Sequence, residues 1–111
     1  MDRRGYLGEF EQLVLLATLR LREEAFGPRI AAELEEQAGR RVSRGALYGT
    51  LERLERKRFL VWELETGTAD RAGQPIRRFQ VTEEGLEALL SSRQAVRNLE
   101  AGIEDLLSES R

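Results

Sequence analysis

Arginine is the residue type in this sequence whose chemistry is most informative, because the usual catalytic side chains are missing. The 111-residue chain has neither His nor Cys, and 17 of its 18 basic residues are Arg. Ser-His or Cys-His nucleophiles and thiolate or imidazole metal sites therefore cannot be built. A carboxylate-only hydrolase is a weak alternative, since the Glu residues are spread over helix surfaces without a Gly-rich phosphate loop. We expect no enzymatic activity, no catalytic residue, no metal and no cofactor.

The positive charge is concentrated in the middle of the chain. The net charge is −2 overall, but +3 over residues 40–65 and +2 over residues 66–82, between ends of −3 (1–39) and −4 (83–111). Arg forms paired hydrogen bonds with phosphate and guanine, although a coding preference would explain the bias against Lys equally well. The acidic overall balance, taken alone, argues against a nucleic-acid binder, but this average hides one central basic block between two acidic ends.

Three helices are predicted in the first half of the chain. Apolar residues at spacings of three and four predict a helix from Gly8 to about Arg22. A second, short helix is predicted from Pro28 to Gly39, since Pro suits a first helical turn and Gly a helix end. Ser43 is a good N-cap for a third helix that runs to about Lys57.

Strand periodicity then replaces helix periodicity. Residues Phe59–Glu65 and Ile76–Val81 alternate in character and predict the two strands of a hairpin. The polar, glycine-rich segment between them predicts a mobile loop. Thr82 is expected to cap a last helix that continues without interruption to about Ser108.

The last helix is too long for a compact domain. Its predicted length is roughly 40 Å, whereas a compact domain of this size has a radius of gyration of only about 13 Å, so much of the helix must protrude from the domain. Its apolar stripe nevertheless continues to the end, so we expect a second copy of the chain to cover it, the alternative being a tail that folds back on its own domain. The residues expected at the dimer interface are Leu7, Phe10, Leu89, Val96, Leu99, Ile103 and Leu106.

The element order predicts a mainly α fold with a small β-hairpin: a winged helix-turn-helix followed by a long C-terminal dimerisation helix. Residues 1–82 would form the DNA-binding domain and residues 83–111 the dimerisation helix, as one structural unit. Neither a signal segment nor an apolar run long enough for a membrane is evident. We therefore expect a soluble, cytoplasmic protein.

The third helix carries unusual residues on the side opposite its core leucines. Two glycines in a helix interior cost stability, and a cation in the first turn opposes the helix dipole, so both indicate a functional face. An Arg-bearing helix that can approach the floor of a groove is what DNA reading requires. The expected DNA contacts are Ser43, Arg44, Gly45, Tyr48, Gly49, Arg53 and Arg56 in this helix, and Arg71, Arg77 and Arg78 in the hairpin.

Several of these residues have structural alternatives. Tyr48 could equally be half-buried core, and Glu52, a candidate for a cytosine contact, could instead pair with Arg56 four residues on. Arg71 could be a solvated loop residue. Trp62, the only Trp, is interpreted as core beneath the hairpin rather than as a stacking platform.

Two segments resemble one known family. The run ALYGTLERLERKRFL at residues 46–60, followed by GQPIRRFQVTEEG at residues 73–85, is similar to the signature of the PadR family of bacterial transcriptional regulators. The resemblance covers about residues 9–90. Tyr48 matches the Tyr of the family's recognition helix, and Phe79, Thr82 and Gly85 match the end of its wing.

The resemblance implies a dimeric winged-helix repressor that binds double-stranded DNA at palindromic operators. The single C-terminal helix resembles that of the smaller subfamily, in which this helix and the first helix together form the homodimer. Members are often released from DNA by a small molecule, but nothing here indicates the class of such an effector. Gly49 stands where a Pro is common, and Arg58 where a Gly is common at the helix end. An alternative function of a different class is that of a protein-interaction adaptor, in which the winged fold docks its Arg face on an acidic partner protein.

Overall fold

The computed structural model describes residues 7–66 and 74–109. A 3-10 turn, Arg22–Glu24, links the first two helices. The elements in chain order are α1 (Glu9–Leu21), α2 (Gly27–Ala38), α3 (Arg44–Arg56), β1 (Leu60–Glu65), β2 (Ile76–Val81), α4 (Glu83–Glu100) and α5 (Glu104–Glu109). The three helices, the hairpin and the C-terminal helix occur in the predicted order, so the winged-helix layout is confirmed.

The predicted helix ends are formed by the expected groups. The Ser43 hydroxyl accepts a hydrogen bond from the Ala46 amide at 3.1 Å at the start of α3. The Thr82 hydroxyl accepts one from the Gly85 amide at 2.9 Å at the start of α4. Gly39 ends α2 in the left-handed conformation, with φ of 65°. Each cap satisfies backbone groups that a helix end would otherwise leave without a partner.

The hairpin is antiparallel and has two chemically different faces. Trp62 lies opposite Phe79, and Leu64 lies opposite Arg77, whereas Glu63 lies opposite Arg78. Because side chains alternate along a strand, Trp62 and Arg77 belong to one face of the hairpin and Arg78 to the other. The hairpin base is tied to the body by the Phe79 amide, which donates to the Ala25 carbonyl at 2.9 Å.

One apolar core joins the helices to the hairpin. It lies where α1, α2, α3, the hairpin base and the start of α4 meet. The fully buried large side chains are Val14, Leu15, Ile30, Leu47, Leu51, Leu54, Phe59, Leu60 and Leu89. Burial of these side chains supplies most of the driving force for folding, and it fixes which side of α3 faces solvent.

The junction between α3 and β1 keeps its geometry without the family's glycine. Arg58 adopts a left-handed backbone, with φ of 68°. Its amide donates to the Glu55 carbonyl at 2.9 Å, and the Phe59 amide donates to the Leu54 carbonyl at 3.0 Å. A non-glycine residue in this conformation costs about 1 kcal/mol, so Arg58 stores strain where a glycine would relieve it.

The prediction of an uninterrupted last helix is wrong. Helix α4 ends at Glu100, and the short helix α5 begins at Glu104. Ala101 is extended, and Gly102 has φ of 92°, which is accessible to glycine but strained for other residues. The apolar spacing continues on both sides of the break and therefore hid it. The radius of gyration, 15.9 Å, still exceeds the ~13 Å of a compact domain of this size, because α4 protrudes.

Within residues 7–66 and 74–109, no helix is both long and apolar enough to cross a membrane.

Candidate nucleic-acid interface

The outer side of α3 is a shallow surface edged by arginines. Gly45 and Gly49 are both exposed, and a Cβ atom added to either would have no heavy atom within 4 Å. The protein's own packing therefore does not require a glycine at either position. Arg44 and Arg56 are exposed at the two ends of the same helix. Two exposed glycines without side chains, between long cationic donors, fit the close approach to a DNA groove that the sequence predicted.

The arginines predicted to contact DNA fall into two groups. Within the described part of the chain, Arg44, Arg56 and Arg77 form no ion pair with a carboxylate, whereas Arg53 and Arg78 do. The alternative of a Glu52–Arg56 pair is likewise not found among these residues. Arg44, Arg56 and Arg77 therefore have guanidinium groups available for phosphate or a base edge.

Arg53 belongs to a hydrogen-bond network around the buried carboxylate of Glu11. Glu11 is only 7% exposed, and one carboxylate oxygen accepts from Lys57 Nζ at 2.8 Å and from Arg53 Nε at 3.2 Å. The other oxygen accepts from the Gly8 amide at 3.0 Å. Burial raises the pKa of Glu11, but the hydrogen bonds from Lys57, Gly8 and Arg53 outweigh it and leave the pKa below its ordinary value. The network fastens the start of α1 to the end of α3.

Arg78 is held on the hairpin face opposite Arg77. Its Nε donates to Glu65 at 2.7 Å, and a second guanidinium nitrogen lies 3.6 Å from Glu63. The hydrogen bond and the negative charge of Glu65, together with the charge of Glu63, raise the pKa of Arg78 above its ordinary value. The adjacent arginines of β2 therefore differ in role: Arg78 braces the hairpin, and Arg77 faces α3.

Tyr48 sits between two guanidinium groups. The Arg44 carbon Cζ lies 5.4 Å from the centre of its ring, and that of Arg77 lies 6.0 Å away. Both distances allow a cation–ring attraction. The hydroxyl end reaches α2, where a Cβ on Gly27 would come within 1.8 Å of the Tyr48 oxygen. Tyr48 is half-buried, as the structural alternative predicted, and it also lies at the centre of the arginine surface.

The interpretation of Trp62 as core is wrong. Its side chain stays 36% exposed, and its indole Nε1 donates to Glu55 Oε2 at 3.0 Å. The Arg77 Cζ lies 5.0 Å from the Trp62 ring. Sequence reasoning missed Glu55 altogether, because its only signal is a carboxylate in the last turn of α3, where helix-dipole preference favours a cation.

The residues predicted for the dimer interface divide by burial. Leu7 and Leu89 are buried in the core of the single chain, and Phe10 is half-buried with Arg40 5.8 Å from its ring centre. Leu99, by contrast, is 82% exposed. The other exposed members are Val96, Ile103 and Leu106. The exposed group therefore lies on the protruding part of α4 and on the segment that follows it.

Two further predictions concern features that the structure does not display. Arg71 lies outside the described residues. Within residues 7–66 and 74–109, no group of three or more acidic side chains is placed to hold a metal ion.

Three helices followed by a two-stranded hairpin, with arginines on α3, have the layout of the winged helix-turn-helix class. The chain belongs to the PadR family: the model described as "Transcriptional regulator PadR-like family" matches residues 15–91. This protein is thus a DNA-binding transcriptional regulator, in a family of regulators rather than enzymes. The resemblance seen in the motifs around Tyr48 and Phe79 is confirmed.

Solved structures agree with the family assignment. A PadR-like transcription factor from Bacteroides fragilis shares 26% identity, with a TM-score of 0.70 and coverage of 94% of this chain and 92% of that one. A PadR family regulator from Eggerthella lenta shares 29% identity, with a TM-score of 0.67 and coverage of 89% and 86%. A PadR-like regulator from Bacillus cereus, at 22% identity, a TM-score of 0.70 and coverage of 88% and 90%, supports the fold. No curated protein matches the chain.

Proposed function

We propose that a homodimer of this chain binds a palindromic DNA operator and represses transcription by occupying a promoter. The observation that carries the proposal is that Arg44, Arg56 and Arg77, around the exposed glycines of α3, form no ion pair with any carboxylate of the described residues. In a two-fold dimer, two such helices about 34 Å apart would read half-sites one helical turn apart. Helix α3 would enter the major groove, and the hairpin would follow the neighbouring backbone.

Each predicted contact has a chemical role in this proposal. Ser43, the amides at the start of α3 and Arg44 would bind phosphate or a base edge, while Arg56 would bind phosphate or guanine. Gly45 and Gly49 would let the helix backbone approach the groove floor. Tyr48 and Arg77 would contact the phosphate backbone, and Arg71 would do so at the hairpin tip. Arg53 and Arg78 could contact DNA only after their ion pairs rearrange, that of Arg53 with Glu11 and those of Arg78 with Glu63 and Glu65.

A second copy of the chain is the proposed cover for the exposed stripe of α4. One face of this helix is buried at its start, through Ala88 and Leu89, and exposed at its end, through Val96 and Leu99. At 100° per residue these side chains lie within about 100° of one another around the helix. Because the same face first packs on its own domain and then overhangs it, we infer that the overhang is covered by a partner. Residues 1–82 would then act as the DNA-binding part and residues 83–111 as the dimerisation part.

An effector, if the regulator has one, would bind between the first and last helices of the dimer. A cleft of about 180 Å³ lies there, lined by Gln12, Arg93, Val96, Arg97 and Glu100. Its mixture of cations, an amide and a carboxylate does not select one chemical class. The last helix of this chain has no aromatic residue, so a flat ligand stacked on that helix is not proposed.

Selection of bound duplexes from a random pool tests the proposal. We expect one palindrome to be recovered, with affinity falling about a thousandfold between roughly 50 and 200 mM salt if about six phosphates are contacted. Arg44→Ala should weaken binding about tenfold or more. Arg20→Ala is the matched control, because it removes the same charge from α1, where Arg20 pairs with Glu33 at 2.6 Å. Recovery of no sequence by folded, dimeric protein would overturn the proposal and favour a protein-interaction adaptor.

A further inference from the structure

The contacts of Arg77 indicate that its position is set by other side chains. Its guanidinium lies between two rings, with Cζ 5.0 Å from the Trp62 ring centre on β1 and 6.0 Å from that of Tyr48 on α3. A free arginine on a hairpin would sample many rotamers and lose that freedom on binding a phosphate. Two flanking rings restrict the side chain before DNA arrives.

Trp62 is itself held from α3. Its indole N–H donates to the Glu55 carboxylate at 3.0 Å, which joins β1 to the last turn of the helix. The contact between Arg77 and Tyr48 joins β2 to the first half of the same helix. A two-stranded hairpin alone is only marginally stable in water. These two contacts therefore add to the hairpin's attachment and join both of its strands to α3.

The charge of Glu55 gives a separate argument. A carboxylate on the helix that binds DNA repels phosphate, and within the described residues this one forms no ion pair that would neutralise it. Residues that break a local rule tend to occur where another requirement outweighs it. Here the visible requirement is the hydrogen bond that Glu55 accepts from Trp62.

We propose that Trp62, held by Glu55, is a positioning residue that presents Arg77 to the DNA backbone. The inference rests on the proposed function, because it concerns the geometry of the same DNA-binding surface. Trp62 and Glu55 are not among the predicted DNA contacts. They would affect the affinity for DNA through Arg77 rather than by touching DNA.

A double-mutant cycle on the full chain tests the inference, with the selected duplex as the probe. Arg77→Ala should weaken binding about tenfold. It should also reduce the salt slope, which is the slope of log affinity against log salt concentration, by about one, as expected for the loss of one phosphate contact. Trp62→Leu should weaken binding about two- to fivefold, the size of one exposed cation–ring contact. In the Arg77→Ala background, Trp62→Leu should change affinity less than about twofold, because the residue through which it acts is gone. Val61→Ala, an exposed change on the opposite face of β1, is the control and should leave binding unchanged.

Two readouts separate positioning from a general structural effect. Trp62→Leu removes no charge, so a lower salt slope in this variant means that Arg77 has lost its phosphate contact. Glu55→Gln keeps an acceptor for the indole and removes repulsion, so it should bind at least as tightly as the wild type, whereas Glu55→Ala should bind more weakly. If Glu55 acts on DNA only through its charge, both variants bind more tightly.

The possible failures are distinguishable. If the wild-type chain binds the duplex but the effects of Trp62→Leu and Arg77→Ala are additive, or both Glu55 variants bind more tightly, the positioning inference is wrong and the proposed function stands. If the wild-type chain selects no duplex at all, the proposed function falls and this inference falls with it.

Discussion

Replacing Glu11 with Gln should destabilise the fold at neutral pH, because the buried carboxylate accepts hydrogen bonds from Arg53, Lys57 and the Gly8 amide. Breaking a fully buried ion pair costs about 3–5 kcal/mol. Here the cationic partners are partly exposed, at 49% for the Arg53 side chain and 37% for that of Lys57, so water can replace part of what they lose. We therefore expect a smaller loss of about 1–3 kcal/mol, the size of roughly one hydrogen bond to a charged group. For a domain of this size that is about 4–12 °C in melting temperature.

The effect should depend on pH in one direction. The pKa of Glu11 in the folded protein lies below its ordinary value of 4.5, so the carboxylate stabilises the fold above that pH. This contribution is lost as the pH falls through the lowered folded-state pKa. Since Gln does not titrate, the difference between wild type and Glu11→Gln should be complete at pH 7 and should shrink below about pH 4.

Thermal unfolding followed by circular dichroism at pH 7 and at about pH 3.5 measures both effects. Glu9→Gln is the matched control, because Glu9 lies in the same helical turn but is 77% exposed, in an ion pair with Arg40 at 3.3 Å. An exposed pair of this kind contributes at most about 1 kcal/mol. The network is refuted as a stabilising element if Glu11→Gln melts with the wild type at pH 7, or if the difference grows on acidification.

Three further variants probe α3, its junction with β1, and α4. Gly49→Ala should raise the free energy of unfolding in urea by about 0.5–1 kcal/mol, because the added methyl has open space. It should nevertheless weaken operator binding severalfold, and unchanged affinity would remove the reason given for this glycine. Arg58→Gly should relieve the left-handed strain at φ of 68° and raise the melting temperature by a few degrees; a lower value would show that the Arg58 side chain stabilises the junction. Leu99→Asp should leave the fold intact and convert a dimer to a monomer in analytical ultracentrifugation, whereas Leu90→Asp, about 180° around α4, should not.

The sequence was sufficient to predict the elements because local signals and the core pattern agree. Ser43 and Thr82 cap the helices they were expected to cap, and Leu47, Leu51 and Leu54 all face the core. Such features depend on neighbours within one or two helical turns. The break at Gly102 was missed because a single glycine does not interrupt an apolar repeat, and the chain resumes a helix with the same spacing on the other side.

The chemistry of the surface was less predictable, because it depends on which charged groups meet. Arg53 and Arg56 look equivalent in the sequence, yet Arg53 pairs with Glu11, 42 residues earlier in the chain. Arg77 and Arg78 are adjacent, but strand alternation turns them to opposite faces, and among residues 7–66 and 74–109 Arg78 pairs with carboxylates whereas Arg77 does not. Pairing across such distances is decided by the fold, so the sequence could indicate where arginines cluster but not which of them stay free.

The claim that the outer side of α3 and the Arg77 face of the hairpin bind DNA is tested most directly by a nuclear magnetic resonance titration. The nitrogen-15-labelled full chain would be titrated with the selected duplex, and its amide and indole signals followed. We expect the largest shifts in residues 43–56 and 76–81 and in the single indole N–H of Trp62, with little change at the exposed end of α2. Shifts concentrated on α2 or on α4 and α5, with α3 unchanged, would contradict the claim.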